Sequence, residues 1–436
     1  MTEGSSKFTH EAALAAKAAG AALREAPAEV RAGLLRDLAE ALGREDVRAQ
    51  VFAANARDME RSKADVATGA LAPELLKRLA LDAKKLSAVS DGLAQLAAME
   101  DLVGRVTLRR ELDDGLVLER VTCPLGLIGV VFEARPDALV QIAGLAIRSG
   151  NAVLLKGGRE AQESNRSLAA VLHDVFRARG LDPRAAVLLE DRADVSALLG
   201  LDGVVDLIVA RGSSEFVRHV RASTRIPVMA HAAGICHLYL HRAANPAMAA
   251  KLALDSKMTY PAACNALETL LWDEGAEAAL DATVATLTAA GVELRGDAET
   301  RARHPKITPA PDDAWDTEYG APILSVRRVR GMDEALAHIE RHGSRHTDSI
   351  VTDDAKAAAK FLASVDSAGV YHNASTRFAD GYRYGLGAEV GISTDKLHAR
   401  GPVGVDGLLT YRWLLHGSGQ LTADYGPAGR RFKHQG

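Results

Sequence analysis

The chain has 436 residues, of which 47% are hydrophobic and 25% charged, with a formal net charge of −4. That composition predicts a soluble globular protein of two or three folded units, and it offers no basic footprint for nucleic acid or an anionic membrane. No apolar run reaches the roughly 20 residues of a membrane span, and MTEGSSKFTH lacks the basic and apolar regions of a secretory signal. Cys123, Cys236 and Cys264 show no CxxC spacing, which argues against a disulfide framework and against a zinc site. The cytoplasm is the expected compartment.

Residues 8–98 read almost wholly as helix. Apolar positions recur at helical spacing in VRAGLLRDLAEALG (30–43) and in the stretch 74–99, so a helical layer packed on another element is predicted. Strand-like runs at 106–112 and 116–123 flank Asp113-Asp114-Gly115, a β-hairpin with a tight turn. From 124 the chain alternates. Strands are predicted at 126–132, 151–158, 185–190 and 206–210, and helices at 137–150, 159–180, 192–199 and 213–223. Continuous apolar strands separated by helices predict a parallel sheet covered on both faces, with ligands beyond its carboxyl edge. A second alternation follows Cys264, with strands at 292–296, 322–329, 349–352 and 369–373 and helices at 331–343 and 354–366. The tail, from 374, is rich in Gly and polar residues, with a last strand at 408–416.

Three places could carry chemistry. No GxGxxG fingerprint follows a strand, but LLKGGRE (154–160) and ARGSSEF (210–216) each join a strand to a helix through glycine. Lys156 and Arg159 make the first turn cationic, and Arg211 does so for the second. These are either ordinary βα turns or a rim for a phosphorylated dinucleotide. Cys264 lies in YPAACNALETLL (260–271), where a helix gives way to a strand through Pro and small residues. Pattern alone leaves it either packed or nucleophilic, whereas Cys123 and Cys236 fall in apolar strand patterns and read as core. The tail stretches 370–381, 385–394 and 396–404 are either surface loop or an anion pocket, with Arg377 and Arg400 as forked donors.

Taken together, PLGLIGVVFEARPDA (124–138), GNAVLLKGGREAQESN (150–165), ARGSSEF, YPAACNALETLL, NASTRF (373–378), GAEVGIST (387–394) and KLHARGP (396–402) resemble the γ-glutamyl phosphate reductases. That family belongs to the aldehyde dehydrogenase superfamily, and the match runs in order from about 106 to 420. The resemblance implies an α/β fold with a Rossmann-type cofactor domain (1–105 and 124–234), an α/β catalytic domain (235–400) and an oligomerisation arm (106–123 and 405–425). It implies NADPH-dependent reduction of L-glutamyl 5-phosphate to the semialdehyde, in proline biosynthesis. Cys264 would carry the glutamyl group as a thioester, its backbone N–H would serve an oxyanion hole, and Asn265 is a weaker candidate for orienting the intermediate. Lys156, Gly157, Gly212, Ser213 and Glu318 would hold the cofactor. Arg159 stands where many NAD enzymes carry an acidic residue, which favours NADP(H). Arg135, Arg377 and Arg400 are the candidates for the substrate's phosphate and carboxylate. His231 lies near the place of the water-activating glutamate of hydrolytic aldehyde dehydrogenases, and such a hydrolytic enzyme is the alternative reading. A homodimer or homotetramer and an association with glutamate 5-kinase are further expectations.

Overall fold

A computed structural model describes residues 3–133, 135–231, 233–396, 399–427 and 429–434. The helical stretch forms α1 (Glu3–Glu25), α2 (Ala28–Gly43), α3 (Glu45–Ala67), α4 (Pro73–Leu79) and α5 (Ala83–Ala98). Leu34, Leu35, Leu38 and Leu42 line one face of α2, and Leu86, Val89, Leu93 and Leu96 one face of α5. All eight are buried, each worth about 1.5–3 kcal/mol of apolar transfer, so packing holds these helices more than propensity does.

The hairpin is β1 (Val106–Asp113) and β2 (Leu116–Pro124). Gly115 at its turn has φ 67°, a left-handed conformation that glycine adopts without strain. The first alternation then gives β3 (Leu127–Phe132), α6 (Pro136–Arg148), β4 (Ala152–Lys156), α7 (Gln162–Ala178), β5 (Ala186–Leu189), α8 (Arg192–Leu199), β6 (Leu207–Arg211), α9 (Ser214–Ser223) and β7 (Val228–Met229). Its strands form one parallel sheet in the order β5-β4-β3-β6-β7. One face packs on α2, α5, α6 and α7, and the other on α1, α8 and α9. Every residue of β3 and β4 is buried, which is why these strands read as unbroken apolar runs.

The second alternation supplies β8 (Cys236–Leu240), α10 (Pro246–Met258), β9 (Leu267–Asp273), α11 (Glu277–Ala289), β10 (Glu293–Gly296), α12 (Ala298–Arg303), β11 (Thr308–Pro309), β12 (Ile323–Val329), α13 (Met332–His342), β13 (Thr347–Val351), α14 (Ala355–Ser364) and β14 (Gly369–His372). These strands form a seven-stranded parallel sheet, β11-β10-β12-β9-β8-β13-β14. The tail adds a two-residue pair, β15 (Ile392–Ser393) with β16 (Gly401–Pro402), and then β17 (Leu409–His416). β17 runs antiparallel to β2, so the hairpin becomes a three-stranded arm. Among the described residues, no helix is long and apolar enough to cross a membrane.

Candidate active site

The site begins at the turn between α10 and β9. Pro261 cannot continue a helix, and two tight turns follow, with Ala263 N–H donating to the Tyr260 carbonyl (3.1 Å) and Ala266 N–H to that of Ala263 (2.8 Å). They place Cys264 in front of β9, half-buried. Gly234 passes directly against this turn: a Cβ there would lie 2.0 Å from the Cys264 carbonyl oxygen. The Cys236 thiol contacts the same oxygen at 3.4 Å. On the other side the tail is stitched to the turn. Thr376 Oγ1 donates to the Asn265 carbonyl (2.7 Å), and Asn265 Nδ2 donates to the Ala379 carbonyl (2.8 Å). Those bonds hold the short helical turn Thr376–Phe378, and with it Arg377, beside the thiol. Arg377 is only 9% exposed and its Nε has no hydrogen-bond partner.

Burial pushes the Cys264 thiol up to about 12; the carboxylates of Glu389 and Glu318 add to the rise, and Arg211 and Arg377 oppose it. The resting group is therefore a protonated thiol. Alkylation of the ligand-free protein by iodoacetamide at Cys264 should climb about tenfold per pH unit up to roughly pH 10. A plateau of that rate between pH 7 and 9 would contradict this electrostatic picture.

A cavity of about 690 Å³ lies between α5, the start of α6 and the loop 380–389, and two of its lining residues, Arg211 and Glu389, act on the thiol. It brings Arg135, Arg211, Asp137, Asp380 and Glu389 together. Glu389 Oε2 accepts from the Gly381 N–H at 2.8 Å. Burial raises the Glu389 carboxyl while Arg211 draws it back down, and the Arg211 guanidinium is itself lowered by burial and by Arg135.

The turns after β4 and β6 lie at the carboxyl edge of the first sheet. Gly157, Gly158, Arg159, Asn165 and Glu190 line a narrow cleft there. A Cβ on Gly157 would fall 2.2 Å from Asn165 Nδ2, and one on Gly212 would fall 2.8 Å from the Phe216 ring and 3.1 Å from the Glu133 carboxyl carbon. Ser213 caps α9, accepting from the Phe216 N–H. Buried Lys156 donates to the Gly157 carbonyl at 2.6 Å, and burial lowers its ammonium. Arg159 is exposed at the rim. Glycine cradles, a helix N-terminus, an ammonium and the unpartnered Asn165 Oδ1 fit a dinucleotide.

Several sequence candidates take different places. Arg400 donates to the Asp366 side chain (2.7 Å) and to the Asp366 carbonyl (2.8 Å), so its fork is already committed and it does not line the cavity. Arg211, read with the cofactor turn, lines the cavity instead. His231 Nδ1 lies 3.3 Å from the Ile392 carbonyl, and its ring meets His346 edge-on at 5.7 Å. Glu318 is exposed yet close enough to act on the thiol. Sequence reasoning missed what holds its loop. Fully buried Lys257 and Glu268 pair at 2.8 Å, and Glu268 Oε1 accepts from the Gly320 N–H at 3.3 Å. The available signal was an acid inside the apolar strand LETLLWD.

This pair of parallel sheets with an antiparallel arm is the aldehyde dehydrogenase fold: an acetylating aldehyde dehydrogenase from Geobacillus thermoglucosidasius superposes with a TM-score of 0.67 at 17% identity, over 96% of this chain and 98% of its own. No family model matches the chain. A protein named gamma-glutamyl phosphate reductase from Synechococcus sp. (strain JA-3-3Ab) is 53% identical over 423 residues, covering 96% of this chain and 92% of its own. The crystal structure of gamma-glutamyl phosphate reductase from Thermotoga maritima superposes with a TM-score of 0.90 at 33% identity, over 95% of this chain and 99% of that one. The chain belongs to the gamma-glutamyl phosphate reductase family.

Proposed function

We propose that this protein reduces L-glutamyl 5-phosphate to L-glutamate 5-semialdehyde with NADPH, releasing phosphate, as a step of proline biosynthesis. The observation that carries this reading is Arg377, nine-tenths buried with an unpartnered Nε beside the only half-buried thiol of the site. A buried guanidinium without a carboxylate is a costly arrangement that an incoming phosphate relieves. The names of the close relatives support the same substrate.

In this mechanism the Cys264 sulfur attacks the acyl carbon and its proton passes to the departing phosphate. The acyl C–O bond breaks with its electron pair on phosphate, which Arg377 receives. The Cys264 N–H stabilises the oxyanion of each tetrahedral stage. Asn265 has its Nδ2 engaged on Ala379, so it acts by holding the Arg377 turn in place. Lys156 and Arg159 would hold the adenosine ribose and its 2′-phosphate, Gly157, Gly212 and Ser213 would let the backbone approach the cofactor, and Glu318 would hold the nicotinamide ribose. When bound, NADPH supplies one hydride to the thioester carbon. The C–S bond then breaks, the semialdehyde leaves and the thiol regains a proton. His231, turned to a backbone carbonyl, is not needed as a base. The exposed Tyr411, Trp413 and Leu415 on β17 support pairing of the arm with a second copy.

The deciding assay follows NADPH consumption with glutamyl phosphate generated in situ, and semialdehyde oxidation in the reverse direction. Oxidation that proceeds without phosphate would establish the hydrolytic alternative instead. In the same assay Arg159→Glu should raise KM for NADP on the order of ten- to a hundredfold, the worth of one charge-assisted contact, with little change for NAD. Equal effects on both cofactors would remove Arg159 from the 2′-phosphate site.

A further inference from the structure

We propose that the cavity between α5, the start of α6 and the loop 380–389 is the pocket for the α-amino-acid end of the substrate, with Glu389 receiving the ammonium and Arg135 and Arg211 the carboxylate. This rests on the reading above and adds which residues choose a glutamyl group over other acyl groups. The cavity is lined by cations and anions at once. Asp380 already lies near Arg383, at 3.7 Å. Among the described residues, no carboxylate reaches ion-pair distance of Arg135 or Arg211, although the nearby Arg221, Arg383 and Arg400 each have an aspartate. Opposite charges held apart in one partly desolvated space are stabilised by a ligand that carries both signs. A zwitterionic α-amino acid is such a ligand.

Placement along the substrate agrees. Arg377 does not line this cavity, whereas Arg135 and Arg211 do, and both Arg211 and Arg377 are near enough to the thiol to act on it. Arg135 also stands at the N-terminus of the 13-residue α6, whose free N–H groups favour a carboxylate. Glu389 keeps one oxygen on Gly381 and has the other for an ammonium. An ammonium there also neutralises the carboxylate that most opposes ionisation of Cys264, so correct substrate prepares its own nucleophile. The same contact keeps Glu389 from activating water against the thioester.

The test is phosphate-dependent oxidation of three aldehydes by the full-length protein: glutamate 5-semialdehyde, 5-oxopentanoate (no ammonium) and 4-aminobutanal (no carboxylate). Glu389→Gln should lower kcat/KM at least about tenfold more for the two ammonium-bearing aldehydes than for 5-oxopentanoate, and Arg211→Gln should do so for the two carboxylate-bearing ones rather than for 4-aminobutanal. Losses equal across all three aldehydes would overturn the assignment. Binding of L-norvaline, which has the amino-acid head and no reactive group, is measured by calorimetry in parallel. It should weaken about tenfold or more in both variants. Unchanged norvaline binding overturns the pocket even if the reductase activity stands. Norvaline binding that responds to both variants in a protein inactive on every aldehyde supports the pocket and overturns the reaction.

Discussion

Replacing Cys264 by alanine is expected to lower kcat at least about a thousandfold in both directions, with cofactor binding and melting temperature close to wild type. The size follows from the chemistry. Without the sulfur there is no acyl-enzyme, and the remaining groups can only bind and polarise a substrate that nothing attacks. Mass spectrometry after a single turnover without cofactor should show a glutamyl adduct on Cys264 in the wild type and none in the variant. Cys123→Ser, on β2 of the arm, should keep both the adduct and the activity. An adduct on another residue, or turnover by Cys264→Ala within tenfold of wild type, would remove the thioester from the mechanism.

Lys257→Met carries the largest expected effect on stability. Lys257 and Glu268 are both fully inaccessible and pair at 2.8 Å, so the variant leaves a carboxyl alone in the core. Breaking such a pair costs about 3–5 kcal/mol. The loss depends on pH. Burial already raises Glu268 from 4.5 to about 7, against the pull of Lys257. A folded-state value above the unfolded one means that the folded form holds its proton longer, and stability falls as pH rises between the two values. Without Lys257 the folded value rises further, so the variant should melt only slightly below wild type near pH 5 and far below it near pH 8. Lys257→Met with Glu268→Gln should recover most of the difference, since no charge is then buried. A deficit that is the same at both pH values would show that lost packing, rather than a stranded carboxylate, is responsible. The pair also holds Gly320, and through it the loop of Glu318, so the single variant should raise KM for NADPH in the molecules that remain folded.

Much of the architecture was legible because it rests on local patterns. The runs 126–132 and 185–190 became β3 and β5 within a residue or two, and 192–199 became α8. Buried parallel strands must be apolar throughout, and helices between them must carry apolar stripes, so both leave a trace that needs no partner to be read. The turn that carries Cys264 was legible for the same reason: Pro261 and the small residues around Cys264 interrupt two regular elements, although the pattern alone does not say whether the thiol is packed or nucleophilic. The charges around it were not. Arg377 and Arg400 look alike in the tail, but among the described residues the first has no carboxylate at ion-pair distance and lies near Cys264, whereas the second is held by Asp366. Arg211 ends β6 beside a glycine turn, yet it lines the cavity with Arg135 and Glu389.

The order of strands, helices and turns, including the turn that carries Cys264 and the glycine-bearing turns after β4 and β6, is a property of short segments, set by propensity, periodicity and the steric needs of close backbone approach. Which cations meet the thiol, where Glu389 lies, and how Lys257 finds Glu268 behind the Glu318 loop depend on contacts between residues far apart in the chain. Arg377 stands 113 positions from Cys264 and comes near it because Thr376 and Asn265 tie the tail to the Cys264 turn and Ser256 ties it to α10. A charge acts over a few ångströms in a partly dry cleft, so its partner is decided by tertiary geometry and by nothing in its sequence neighbourhood.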